Sequence, residues 1–223
     1  MARIARVVAP GIPHHVTQRG NRRQPVFFGD TDYQLYLGLM SEWCRRRMVE
    51  VWAYCLMPNH VHLVAVPETA AGLASAIGEA HRRYTQLVNR REKWAGYLWQ
   101  GRFASYPMDE QHLLMAVRYV EMNPVRSGMV RQPWRYRWSS AAAHVRGQDD
   151  GLVYVKPMIE LVGEDWRVYL NQEVGATDSE LLRRHSRTGR PLGSPEFVER
   201  LEGKLGRRFG PGKRGRPRKR AGK

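Results

Sequence analysis

Polar and apolar residues alternate along His60-Val61-His62-Leu63, and a period of two is that of a half-buried strand, whose side chains point to opposite faces in turn. His60 and His62 therefore share one face, while Val61, Leu63 and Ala65 supply the row turned to the core. Pro58 sets the start of this strand. Val49 to Leu56 reads as another strand, and Met57-Pro58-Asn59 turns directly from it into the histidine strand, which predicts an antiparallel pair. Residues 12–18 read as a first strand that runs into the polar turn Arg19-Gly20-Asn21-Arg22-Arg23. A helix follows from an N-cap at Asp30 or Thr31, with Tyr33, Leu35, Tyr36, Leu39, Met40 and Trp43 as its apolar stripe and Arg45-Arg46-Arg47 at its end. A second, with Leu73, Ile77, Ala80, Tyr84 and Val88 at helical spacing, occupies roughly Ala70 to Lys93, and a loop from Leu98 feeds a fourth strand closed by Pro107. Strand, helix, two strands, helix, strand is the order of an α+β, ferredoxin-like split βαβ fold: an antiparallel sheet with both helices on one face and the other face available for a site.

A third helix, from Asp109 to about Met122, carries Leu113, Leu114, Ala116, Val117 and Val120 and stops at Asn123-Pro124. Trp134 to Val145 forms the last element of the domain, and the polar, glycine-containing stretch 147–151 marks a boundary. The expected organisation is a catalytic unit at 5–147, a small helical and DNA-binding region at 152–209, and a basic tail at 210–223. Charge then narrows the class of partner. Lys and Arg outnumber Asp and Glu by 37 to 21 in 223 residues, for a net charge of +16, so the chain suits a polyanion, nucleic acid first. Ten of those cations follow Glu202 with no acid among them, and Arg214-Gly215-Arg216-Pro217 can lie in a narrow minor groove. No stretch reaches the roughly 18 apolar residues of a membrane span, and Cys44 and Cys55 lack a disulfide-framework spacing, so the expected compartment is the cytoplasm.

Two imidazoles on one strand face make two-thirds of a metal site or part of an acid/base pair. Tyr119 and Asn123 stand at i and i+4 on the third helix, so phenol and carboxamide project together. If that helix face crosses the histidine strand, His60, His62 and Asn123 supply two nitrogens and one oxygen to a divalent cation, with Tyr119 beside it as a nucleophile. Local chemistry also offers Asn123 a plain role as the cap before Pro124.

Pro58-Asn59-His60-Val61-His62-Leu63-Val64, followed by Tyr119-Val120-Glu121-Met122-Asn123-Pro124-Val125-Arg126, resembles the single-tyrosine HUH transposases of small bacterial insertion sequences, and more closely their REP-associated branch. The likeness spans roughly residues 5–145 and includes Thr17-Gln18-Arg19-Gly20-Asn21 and Trp99-Gln100-Gly101-Arg102-Phe103. By that resemblance His60 and His62 are metal ligands, Tyr119 is the nucleophile, and Asn123 is the third ligand in place of a glutamine, one methylene shorter. The resemblance implies a Mg²⁺- or Mn²⁺-dependent transposase that cleaves single-stranded DNA near repeat hairpins and leaves a 5′-phosphotyrosine, working as a monomer or a homodimer. Arg19, Arg22, Arg82, Arg102, Arg126 and Arg216 are candidates for gripping the strand; Trp99 and Phe103 suit either base stacking or the core. Two competing readings are a replication or plasmid-transfer nickase with the same chemistry, and a DNA-binding regulator that does not cleave.

Overall fold

In the computed structural model, which describes residues 4–172 and 175–210, β1 (His14–Arg19), β2 (Val49–Met57), β3 (His60–Pro67) and β4 (Ala104–Pro107) form one antiparallel sheet in the spatial order β2-β3-β1-β4. With α1 (Asp30–Arg46) between β1 and β2 and α2 (Gly72–Glu92) between β3 and β4, this is the ferredoxin-like split βαβ order. The rule of alternation holds on β3: Val61 and Leu63 are fully buried in the main core, whereas the histidine row lies on the opposite face. An aromatic cluster joins the two helices, with the Tyr36 hydroxyl 2.8 Å from His81 Nε2 and the Tyr36 and Tyr84 rings packed edge to face. Trp52 lies within a register shift between Val51 and Ala53, so β2 carries a bulge that the alternation pattern does not announce.

The β2–β3 hairpin turns through Pro58 and Asn59, and its tip is tied down by Val26 N–H donating to the Pro58 carbonyl at 2.9 Å. Gly20 closes the other side. Its N–H donates to Asn59 O at 2.8 Å, and a Cβ there would stand 2.3 Å from Gln24 O, so only glycine lets the turn after β1 lie this close to the hairpin.

α3 (Glu110–Glu121) starts from Asp109, whose carboxylate accepts from His112 N–H at 3.0 Å, and is followed at once by the short α4 (Asn123–Arg126). Then come α5 (Ala141–Arg146), α6 (Lys156–Val162), α7 (Trp166–Asn171), α8 (Ala176–Thr188) and α9 (Pro195–Leu205). The histidine face, which the split βαβ order leaves available for a site, is partly covered: α3 packs on β2 and β3, and α8, which the sequence did not place there, on β4 and β1. Burial of Leu113, Val117 and Val120 from α3 and of Leu182 from α8 drives this second layer. Stretch 147–151 lies between α5 and α6, and the main core runs across it to include Leu152, Met158, Trp166 and Leu170. α9 instead packs Phe197 and Leu201 with Val7, Ala9 and Phe209 in a second, smaller core. The basic tail from 211, with Arg216, lies outside the described residues. Among the described residues no helix is long and apolar enough to cross a membrane.

Candidate active site and nucleic-acid cleft

Strand register assembles the polar face. Arg19 lies opposite His60, Thr17 opposite His62, His15 opposite Val64 on one side and Tyr106 on the other. Residues facing each other across an antiparallel pair share a face, so His15, Thr17, Arg19 and Tyr106 join the two sequence-predicted histidines. The His60 and His62 ring centres are 5.1 Å apart. α3 crosses this face and sets the Tyr119 ring 5.7 Å from His62 and 6.2 Å from His15, edge to face with both.

Hydrogen bonds fix which nitrogen each imidazole has to offer. Asn59 Nδ2 donates to Arg23 O at 3.0 Å, so its Oδ1 faces His60 Nδ1 at 2.6 Å and accepts its proton. His62 Nδ1 is 3.0 Å from His15 Nε2. Both Nδ1 atoms are taken, and Nε2 is the nitrogen that remains on each ring for a ligand. Burial, reinforced by the Arg19 guanidinium, lowers the His60 pKa to about 4; burial, with the neighbouring His60, His15, Arg126 and Arg19, holds His62 well below its ordinary value. Both rings are neutral at pH 7, the form that coordinates metal.

Asn123 sits at the seam between α3 and α4. Its Nδ2 donates back to the carbonyls of Tyr119 and Val120, both at 3.2 Å, and its Oδ1 accepts from Arg126 Nη2 at 2.7 Å. Arg126 Nη1 also donates to Tyr119 O at 3.0 Å, and its guanidinium carbon lies 3.9 Å from the Tyr119 ring centre. One arginine thus clamps both ends of the sequence-predicted pair. The two imidazoles fit a divalent cation by donor type, neutrality and available nitrogens; Asn123 Oδ1 accepts one hydrogen bond, from Arg126, and has a second lone pair. Among the described residues no group of three His, Cys, Asp or Glu stands where it could hold a metal.

These groups line a cleft of about 740 Å³ whose wall carries Arg19, Arg23, Arg102, Arg126, Arg183 and Arg187 and, among the described residues, no Asp or Glu. Such a wall draws and holds phosphate. Of the sequence-predicted contacts, Arg19, Arg102 and Arg126 line the cleft. Arg22 lines a separate hollow with Trp94 and Tyr97, and Arg82 borders a second groove, paired with Glu79 at 2.7 Å. Trp99 and Phe103 are buried, Trp99 stacked on His81 at 4.6 Å, so both serve the core. Sequence reasoning passed over His15, Tyr106 and the α8 residues Arg183, Ser186 and Arg187. The period of two through His15, Thr17 and Arg19 could have revealed the first.

Comparison with known proteins agrees with this architecture. Residues 10–123 match the family described as IS200-like transposase. A REP-associated tyrosine transposase of Escherichia coli (strain K12) is 26% identical over 113 residues, which cover 50% of this chain and 65% of that protein. The structure of a REP-associated tyrosine transposase bound to a REP hairpin is similar with a TM-score of 0.57 at 24% identity, over 69% of this chain and 92% of that one, a likeness of fold.

Proposed function

The chain belongs to the IS200-like transposases, and from that premise we propose that it cleaves and rejoins single-stranded DNA beside hairpin-forming repeats through a covalent bond to Tyr119. The observation that carries this reading is the Tyr119 ring set against His62 in an arginine-lined cleft with no carboxylate in its wall among the described residues. The Tyr119 phenol oxygen attacks phosphorus as its proton is lost; the bond from phosphorus to the 3′-oxygen breaks, and that oxygen takes up a proton. A 5′-phosphotyrosine and a free 3′-hydroxyl result. One phosphodiester replaces another, so a second strand's 3′-hydroxyl can reverse the step without ATP.

His60 and His62, with the second lone pair of Asn123 Oδ1, would hold Mg²⁺ or Mn²⁺. When bound, such an ion stabilises the charge that develops on a nonbridging phosphoryl oxygen. In this reading Arg126, whose guanidinium lies over the Tyr119 ring, holds that ring in position, and Arg19 and Arg102 hold the phosphates on either side. In this reading residues 5–147 carry the chemistry, and the 152–209 region completes the cleft through α8. The relative bound to a REP hairpin supports a hairpin as substrate. The test is incubation with labelled single-stranded hairpin DNA from beside the gene, with Mg²⁺ or Mn²⁺, and a denaturing gel. A protein–DNA adduct is expected from the wild type and none from Tyr119→Phe. Tight binding with no adduct in either metal would instead identify a DNA-binding regulator.

A further inference from the structure

His15 and Tyr106 stand behind His62, and the resemblance assigns a role to neither. The His15 ring is 1% exposed, stacked on His62 with centres 5.3 Å apart, and hydrogen-bonded at both nitrogens. Its Nδ1 is 2.8 Å from the Tyr106 hydroxyl, and its Nε2 is 3.0 Å from His62 Nδ1. Tyr106 in turn donates to the backbone carbonyl of Leu182 in α8 at 3.2 Å. Ser186, also on α8, is a further hydrogen-bond partner of the Tyr106 hydroxyl, and its own hydroxyl can donate to that oxygen. A carbonyl oxygen can only accept, so Leu182 O draws the Tyr106 proton and sets the direction of the chain. The Tyr106 proton goes to Leu182 O, so the phenol oxygen accepts from His15 Nδ1–H. A neutral His15 then has a bare Nε2, which accepts from His62 Nδ1–H. His62 is left with its lone pair on Nε2. Were the Leu182 contact missing, Tyr106 could donate to His15 instead, every proton in the row would shift by one place, and His62 would carry hydrogen on Nε2, the nitrogen a metal needs.

We propose that Tyr106 and His15 are positioning residues for His62: a hydrogen-bond relay anchored on the α8 backbone that selects the Nδ1–H tautomer and presents Nε2 to the cleft. The inference rests on the reading of His62 as a cation ligand, and it assigns α8 a second task besides its arginines. Partners behind a ligating imidazole fix its tautomer and raise its basicity, and their loss typically costs about 10- to 100-fold in metal affinity.

The experiment reads the tautomer directly, by ¹⁵N-detected NMR of the histidine side chains in the metal-free full-length protein, with Mn²⁺ affinity measured beside it by electron paramagnetic resonance. The wild type is expected to show His62 as the Nδ1–H form alone. Tyr106→Phe, which keeps the ring and removes the anchor, should give a mixture of the two His62 tautomers and weaken Mn²⁺ binding by about 10- to 100-fold. His15→Leu should do the same, whereas His15→Gln retains an acceptor near the old Nε2 position and should restore both the tautomer and most of the affinity. An Nε2–H tautomer of His62 in the wild type would overturn the relay, as would an unchanged tautomer in folded Tyr106→Phe or in folded His15→Leu. Because the tautomer is read without metal or DNA, a failure of adduct formation would sink the proposed cleavage while leaving this result standing.

Discussion

At the scale of single residues, the setting of the proposed nucleophile turns on Arg126, which grips Asn123 Oδ1, the Tyr119 carbonyl and the face of the Tyr119 ring at once. Burial lowers its pKa from the ordinary arginine value and Arg183 adds to this, while Tyr119 opposes it. A planar fork makes these contacts together; the point charge of lysine cannot. Arg126→Lys should therefore slow adduct formation by about 10- to 100-fold, the worth of one hydrogen bond to a charged group at about 1.5–3 kcal/mol, with hairpin affinity changed by less than about threefold. Equal losses in rate and affinity would instead make Arg126 a plain phosphate contact. Individual residues differed in how far they could be read ahead of the fold. His60, His62 and Tyr119 stand on regular elements whose periods fix their faces, so their meeting follows from two local patterns. His15 escaped notice because a histidine in a strand is ordinary, and only the pairing of β1 with β3 shows what stands behind His62.

The element that must be held still is α3, and a buried carboxylate does much of the holding. Glu121 is fully buried and accepts from Ser140 Oγ at 2.5 Å, His144 Nδ1 at 2.6 Å and Trp166 Nε1 at 2.8 Å, so one side chain joins α3 to α5 and α7. Removing one partner of such a cluster strands the others without water or protein to replace it. Glu121→Ala should cost about 3–5 kcal/mol in urea unfolding, and Glu121→Gln, which keeps one acceptor oxygen, should cost less. If the two substitutions cost the same small amount, the cluster contributes little to anchoring the helix two residues from Tyr119. The apolar stripe of α3 was legible from its spacing, but the role of Glu121 was not, since its partners come 19 to 45 residues later. α8 shows the same limit. Arg183, Ser186 and Arg187 look like the solvated side of a short helix until Leu182 is seen buried beneath them and the helix is seen to close the cleft.

On the scale of the whole molecule, two consequences follow from where charge is and is not allowed. Burial lowers the pKa of His14 to about 4 and of His15 and His81 to about 3, against about 6.5 in the unfolded chain. The unfolded state therefore binds more protons between these values, so stability is complete above about pH 6.5 and falls as pH drops from there toward 3 to 4. Urea midpoints at pH 7.5, 6 and 5 should decline in that order; a flat series would mean that these rings are charged or exposed in the fold. The second consequence concerns the cleft, where six arginines meet the proposed ligand set of two neutral imidazoles, with no carboxylate in the wall among the described residues. A divalent cation entering the free protein adds charge to a wall that is already positive, and the ligands bring nothing to offset it. A DNA phosphate brings that negative charge, and it also shields the cation from the arginines. The two ligands should accordingly help one another, and by linkage each must tighten the other by the same factor. For Tyr119→Phe, which cannot be consumed by reaction, a phosphodiester-containing hairpin should raise Mn²⁺ affinity by about 5- to 150-fold, the usual range of such couplings, with an equal gain in hairpin affinity when Mn²⁺ is added. A hairpin whose phosphates beside the cleavage point are replaced by neutral methylphosphonates should lose this coupling. Equal Mn²⁺ affinity with and without the native hairpin would show that the cation's charge is balanced by something other than substrate.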